Sequence, residues 1–368
     1  MHCGACRPPW FALAACVMIG LVVRIRACDP EYPHSAPRIV WVDDGYVALW
    51  AEHDGKTTVL QAARSSGTGA KRSRLAGRAV WRSEELQSQA LLAGGDKTAL
   101  VVALEGPEPD PDPEEDRSDP SRFLTVLPLG ADGRALGMPR SLGHADRICA
   151  SPTWDGARFV VAFAYRMRHF GDDWVLQLGG ISSVGVLEHT QRIASGYFGG
   201  CALARRGEEL AVVVAVHDRQ TQRYALLAYF VDARDHVLLG EPLVVARDEE
   251  RAAWPQVVAE RDGWAASFAG AHDEARLVRF DRGGVRDART LDGVDADTMS
   301  LGTNATGVFA AWHADGRVRL RGLDGGGTRS LARAARTDTT AVGHDRECAI
   351  AWSDRKGALL SRVPSPCP

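Results

Sequence analysis

The feature that most constrains this chain is a hairpin that recurs about seven times. The clearest copy is SPTWDGARFVVAF at 151–163. Weaker copies stand at 36–50, 89–104, 201–216, 254–268, 298–312 and 339–352. Each reads as a short strand, a tight turn and an apolar strand ending near an aromatic. The sequence places the turns at Asp44-Gly45, Gly94-Gly95, Asp155-Gly156, Arg206-Gly207, Asp262-Gly263, Thr306-Gly307 and Asp345-Arg346. Glycine, aspartate and asparagine supply the backbone conformations that two-residue hairpins need.

A third and fourth strand can be read after most copies, for example RVRLRGLD and TRSLA after Trp312. Units of about four strands repeating every ~40–60 residues fall in the range of propeller blades. Runs such as VVAF and LAVVVAV lack polar alternation. That suits strands covered on both faces, as in blades sandwiched between neighbours. The expected fold is therefore all-β, a β-propeller of about seven blades, with six as the alternative. A two-core sandwich has no need of one hairpin repeated so often, and a solenoid calls for a shorter period.

The N-terminus reads as an export segment, 1–27. Arg7 precedes an apolar stretch at 8–23, short for a membrane span and of signal-core length. Two lipobox-like sites follow, Leu13-Ala14-Ala15-Cys16 and Ile25-Arg26-Ala27-Cys28. The second is better placed, which makes Cys28 the expected lipidated residue. A plainly cleaved signal or an uncleaved anchor is the alternative. Residues 28–36 are proline-rich and read as a tether, which could also lend an outer strand to the last blade. The propeller is expected over 37–368, interrupted at 105–120 by an acidic, proline-rich, disordered loop.

Of 8 cysteines, Cys3, Cys6 and Cys16 lie in the leader. With Cys28 lipidated, Cys149, Cys201, Cys348 and Cys367 remain, an even number as an oxidising compartment favours. Strand positions predict the pairs Cys149–Cys201 and Cys348–Cys367. The mature chain has no CxxC or HxxxH spacing, so no metal site is expected.

Formal net charge is −3, and the first 27 residues are purely basic, so the remainder is more acidic still. Phosphate binding wants a concentrated basic surface, so nucleic acid is not an expected partner. His53-Asp54, His217-Asp218 and His272-Asp273 fall at turns after the second strand, with His313 and Asp315 close to the same pattern. They read as solvated histidines beside aspartates that bond their own backbone. Residues entering the innermost strands should rim the central channel: Ser151, Trp254, Asp297, Thr298, Asp338 and Thr339. No nucleophile elbow, phosphate loop, HExxH or SxDxGxxW box appears.

The kernel PTWDGARFVVAF with its lipobox-like leader resembles the repeats of exported bacterial β-propeller lipoproteins, most of which lack an assigned activity. The resemblance implies a fold and an exported location, at the outer membrane or cell surface, or else periplasmic or secreted. It implies no active site and no cofactor. The expected role is a monomeric, membrane-anchored or secreted module binding a protein or glycan. The alternative is a propeller enzyme on polysaccharide, with Asp297 and Asp338 as its carboxylates.

Overall fold

The computed structural model describes residues 37–364 apart from 55–56, 67–71, 87–89, 107–121, 167–173, 335–337, 346 and 355. Within these, the seven hairpins open seven separate antiparallel sheets, at 38–83, 91–144, 147–196, 198–249, 253–295, 300–333 and 340–364. We number them blades 1 to 7. The count is seven rather than six.

The second strand of each blade carries the apolar run, and both of its faces are covered. Gly263–Ala269 is buried at every residue, and Thr98–Glu105 at all but its ends. Trp264, Trp312 and Trp352, all on second strands, are among the largest fully buried side chains. A buried aromatic of this size removes roughly 150–250 Å² from water. At ~25 cal/mol per Å², each is worth about 4–6 kcal/mol before entropy is charged.

The buried side chains fall into seven clusters, each between two neighbouring blades. The last joins Ile39, Tyr46 and Trp50 of blade 1 to Ala349, Ala351 and Leu360 of blade 7. The innermost strands also adjoin one another in cyclic order. This closed circle of cores is what a propeller requires. A linear stack would leave the first and last faces bare.

Closure differs from the expectation. The fourth strand of blade 7 is Arg72–Arg74, donated from the connection between the third and fourth strands of blade 1. It pairs Leu359 with Arg74, Leu360 with Ser73 and Ser361 with Arg72. Arg74 adds a two-pronged bond to the Asp354 carboxylate, 2.9 Å on each arm. The proline-rich tether is not needed there, which agrees with proline's inability to donate to a ladder. The tether, the leader with Cys28, and 107–120 of the acidic insert lie outside the described residues.

The hairpin turns sit one residue earlier than the sequence placed several of them. Val42 pairs with Gly45, Glu260 with Gly263 and Asn304 with Gly307, so each glycine is the first residue of the second strand. At Gly263 the reason is close approach: a Cβ there would run into the Phe280 carbonyl of the third strand.

Candidate functional site

Antiparallel order fixes which loops share a face. Innermost strands begin on one face, and the turns between second and third strands return to it, as do the crossings between blades. The candidate site is built on this face, around the mouth of the central channel.

On blade 3 the innermost strand is split into Arg147–Ile148 and Thr153–Trp154, both paired with Phe159–Arg166. The residues between bulge out towards blade 4. Ala150 N–H donates to the Cys201 carbonyl at 2.8 Å, and Leu203 N–H to the Ala150 carbonyl at 3.2 Å. Cys149 and Cys201 are disulfide-bonded beside this joint, as expected from the sequence. Cys348 is also disulfide-bonded. Its expected partner Cys367 lies outside the described residues. Ser151, at the tip of the bulge, is exposed with φ 64°.

Blades 5, 6 and 7 are joined differently. The Gln256 side chain spans to blade 6, donating to the Met299 carbonyl at 2.6 Å and accepting from Leu301 N–H at 2.9 Å. Thr298 and Thr339 are buried. The Thr298 hydroxyl accepts from His313 N–H at 3.1 Å. Thr339 N–H donates to the Thr298 carbonyl at 3.3 Å, and its hydroxyl is shared between the Thr298 and Ala311 carbonyls, 2.9 Å from each. These hydroxyls serve the seam between blades. Asp297 and Asp338, which immediately precede them in the chain, are half-buried.

Trp254 stands out from the rim. It is 50% exposed, with left-handed backbone at φ 49°. Holding a bulky residue there costs on the order of 1–3 kcal/mol, which the surrounding structure must supply. The Arg251 guanidinium lies 4.6 Å over its ring and is itself ion-paired with Asp273.

Further rings stand on the same face, on blades 3 and 4. Tyr224 and Tyr197 flank His217, with ring centres 4.6 and 5.5 Å from it, and Arg219 lies 5.0 Å over Tyr197. Burial pushes the Tyr224 phenol above its ordinary value, and Tyr197 adds to the shift. Gly199 and Gly200 make room for these rings. A Cβ on Gly199 would meet the Tyr224 ring at 3.2 Å, and one on Gly200 would lie 2.9 Å from Pro255. On blade 3 Trp174 carries Arg147 at 4.4 Å and Arg166 at 5.5 Å from its ring centre. Sequence reading found Trp254 but missed Trp174, Tyr197 and Tyr224. Each is a single aromatic at a strand end, and only the fold brings them to one face.

Three histidines depart from the solvated reading, among them His53, half-buried with its Nδ1 3.3 Å from the Thr58 hydroxyl. His217 is half-buried between the two tyrosines. His313 is buried, its Nε2 3.0 Å from the Ala334 carbonyl. Asp218 does bond its own turn, accepting from Gln220 N–H at 2.8 Å and Thr221 N–H at 3.4 Å. Those bonds hold its carboxyl below the usual range. Among the described residues no group of three His, Cys, Asp or Glu side chains could hold a metal ion.

A pocket of about 170 Å³ lies on the opposite face, at the turns of blade 6, lined by Asn304, Thr306, Phe309 and Asp324. It takes none of the rings on the channel-mouth face.

No protein-family model matches this chain. No curated protein sequence matches it either. Solved structures do. A Trypanosoma rangeli sialidase aligns with TM-score 0.51 at 12% identity over 90% of this chain and 55% of its own. A prolyl endopeptidase aligns with TM-score 0.52 at 9% identity over 91% of this chain and 51% of its own. The chain thus spans about half the length of each. At such identity the likeness shows the fold alone, and that fold is the seven-bladed β-propeller.

Proposed function

We propose that this protein is a binding module that presents the channel-mouth face of blades 3 to 5 to a glycan. The carrying observation is Trp254, half-exposed on left-handed backbone on a face that carries further rings. A strained, exposed aromatic at a channel mouth has no packing role to justify its cost. Of the two expected ligand classes, protein and glycan, the rings favour glycan. Flat rings set along a shallow face match the apolar C–H faces of successive sugars, while arginines between them match the hydroxyls. The test is a fluorescence titration of the whole protein with neutral and acidic oligosaccharides. The Trp254→Ala variant identifies its signal among the 10 tryptophans. Saturable quenching that disappears in Trp254→Ala supports the reading; no response to any oligosaccharide rejects it.

The export reading goes with this role. A diacylglycerol on Cys28, with an acyl chain on its freed amine, would hold the module at a membrane essentially permanently. Incorporation of labelled palmitate, lost in Cys28→Ala, is the expected result. A secreted or periplasmic protein would take up no label.

An enzyme acting on polysaccharide is the second reading, favoured by Asp297 and Asp338, each of which stands just before one of the threonines joined across the seam of blades 6 and 7. Two carboxylates about 5 Å apart would suit a retaining glycoside hydrolase. Release of reducing ends that is abolished in Asp297→Asn and Asp338→Asn would favour this reading over simple binding.

A further inference from the structure

We propose that Arg147 and Arg166, standing on Trp174 at the channel mouth, seat the carboxylate of an acidic sugar. Its chain then runs along Tyr197, Tyr224 and Trp254. The inference rests on the glycan-binding reading and narrows it to carboxylated sugars.

The argument begins with charge. Many arginines of this protein are matched: Arg74 with Asp354, Arg158 with Asp155, Arg223 with Glu250, Arg279 with Glu260, Arg362 with Glu347. Among the described residues, Arg147 and Arg166 form no ion pair. The carboxylate beside them, Asp146, has its Oδ2 committed elsewhere: it accepts the Arg166 backbone N–H at 2.8 Å and lies 3.4 Å from His144 Nε2. The two guanidiniums share one indole, and each adds to the positive field at the other. An indole face attracts cations by roughly 0.5–2 kcal/mol but leaves their charge in place. Among the described residues Asp146 is the carboxylate that acts on Arg147, and with one oxygen engaged elsewhere it balances at most one of the two guanidiniums.

Shape points the same way. Arg147 is exposed to solvent, yet the surrounding protein lowers its guanidinium from the ordinary arginine value, with Arg166 and Arg122 adding to the effect. Only one of its donors is spent within the described protein, Nη1 on the Phe198 carbonyl at 2.7 Å. That bond fixes the fork and leaves donors for a planar carboxylate, which arginine meets in two-pronged fashion. Tyr197, close enough to Arg147 to act on it electrostatically, continues the path towards Tyr224 and Trp254.

Calorimetric titration of the whole protein tests this with three ligands of equal length: an oligogalacturonate, its methyl ester and a sulfated neutral oligosaccharide. The acid should bind at least tenfold more tightly than the ester, with a preference that shrinks as salt is raised. In Arg147→Gln and in Arg166→Gln the acid-to-ester ratio should fall towards one, and two separate variants guard against misfolding of either. Equal binding of acid and ester overturns the proposal and leaves glycan binding standing. Sulfated oligosaccharide binding as tightly as the acid overturns the carboxylate assignment. Binding of none of the three overturns this inference and the reading beneath it.

Discussion

Removing the Cys149–Cys201 bridge gives a stability change that can be worked out in advance. The bond closes a loop spanning 52 residues, one whole blade. The loop-closure model puts the entropy withheld from the unfolded chain at about 4 kcal/mol for that length. Folded-state losses should be small, because the strands the bridge connects are already held by the Ala150–Cys201 and Leu203–Ala150 backbone bonds. The double variant Cys149→Ala/Cys201→Ala should therefore unfold with about 4 kcal/mol less stability in a denaturant titration. Its slope should rise, since an unbridged unfolded chain exposes more surface. Amide protons of Ala150 and Leu203 should stay protected in the native state. A loss below ~1 kcal/mol with unchanged slope would refute the unfolded-state account. Loss of protection at those two amides would refute the claim that the backbone holds the joint by itself.

Two further outcomes test other joints. His236 has no exposed surface, lies 3.4 Å from Asp155 with Arg158 and His189 nearby, and burial holds its imidazole below the usual value. As pH falls below ~6.5 the unfolded chain takes up a proton that the folded one resists, so stability should drop by at most about 1.4 kcal/mol per pH unit. Melts at pH 7 and pH 5 should show that drop reduced in His236→Asn; an equal drop in both proteins would clear His236. Gln256→Met strands the Met299 carbonyl and the Leu301 N–H. It should cost about 2 kcal/mol in denaturant titration, and a loss under 0.5 kcal/mol, roughly within noise, would mean water replaces the amide.

The hairpins were legible because everything that makes them is local: a turn, then an apolar run, then an aromatic. Blade number followed from counting them. The register of the turns was not legible, since Gly263 is demanded by the Phe280 carbonyl, a neighbour in space on the next strand. Arg72–Arg74 was invisible for a related reason. Three polar residues carry no periodicity, and only the far edge of blade 7 makes them a strand. The site shows the same divide. Trp254 and Ser151 could be placed by analogy between copies, because each stands at a repeat boundary. Arg147, Trp174, Tyr197 and Tyr224 come from strand ends with nothing in common except the face on which they lie. His53, His217 and His313 misled because a histidine at a turn looks solvated until its neighbours are known.

The borrowed strand also dictates an order of events. Arg74 meets Asp354 across 280 residues of chain. Ribosomes make the donor well before its acceptor edge, so six blades can pack while the circle still gapes. Contacts this remote are slow to form, and until they do an unpaired edge of blade 7 is open to other chains. A propeller assembled in this sequence becomes rigid all at once, at the moment its seventh blade arrives.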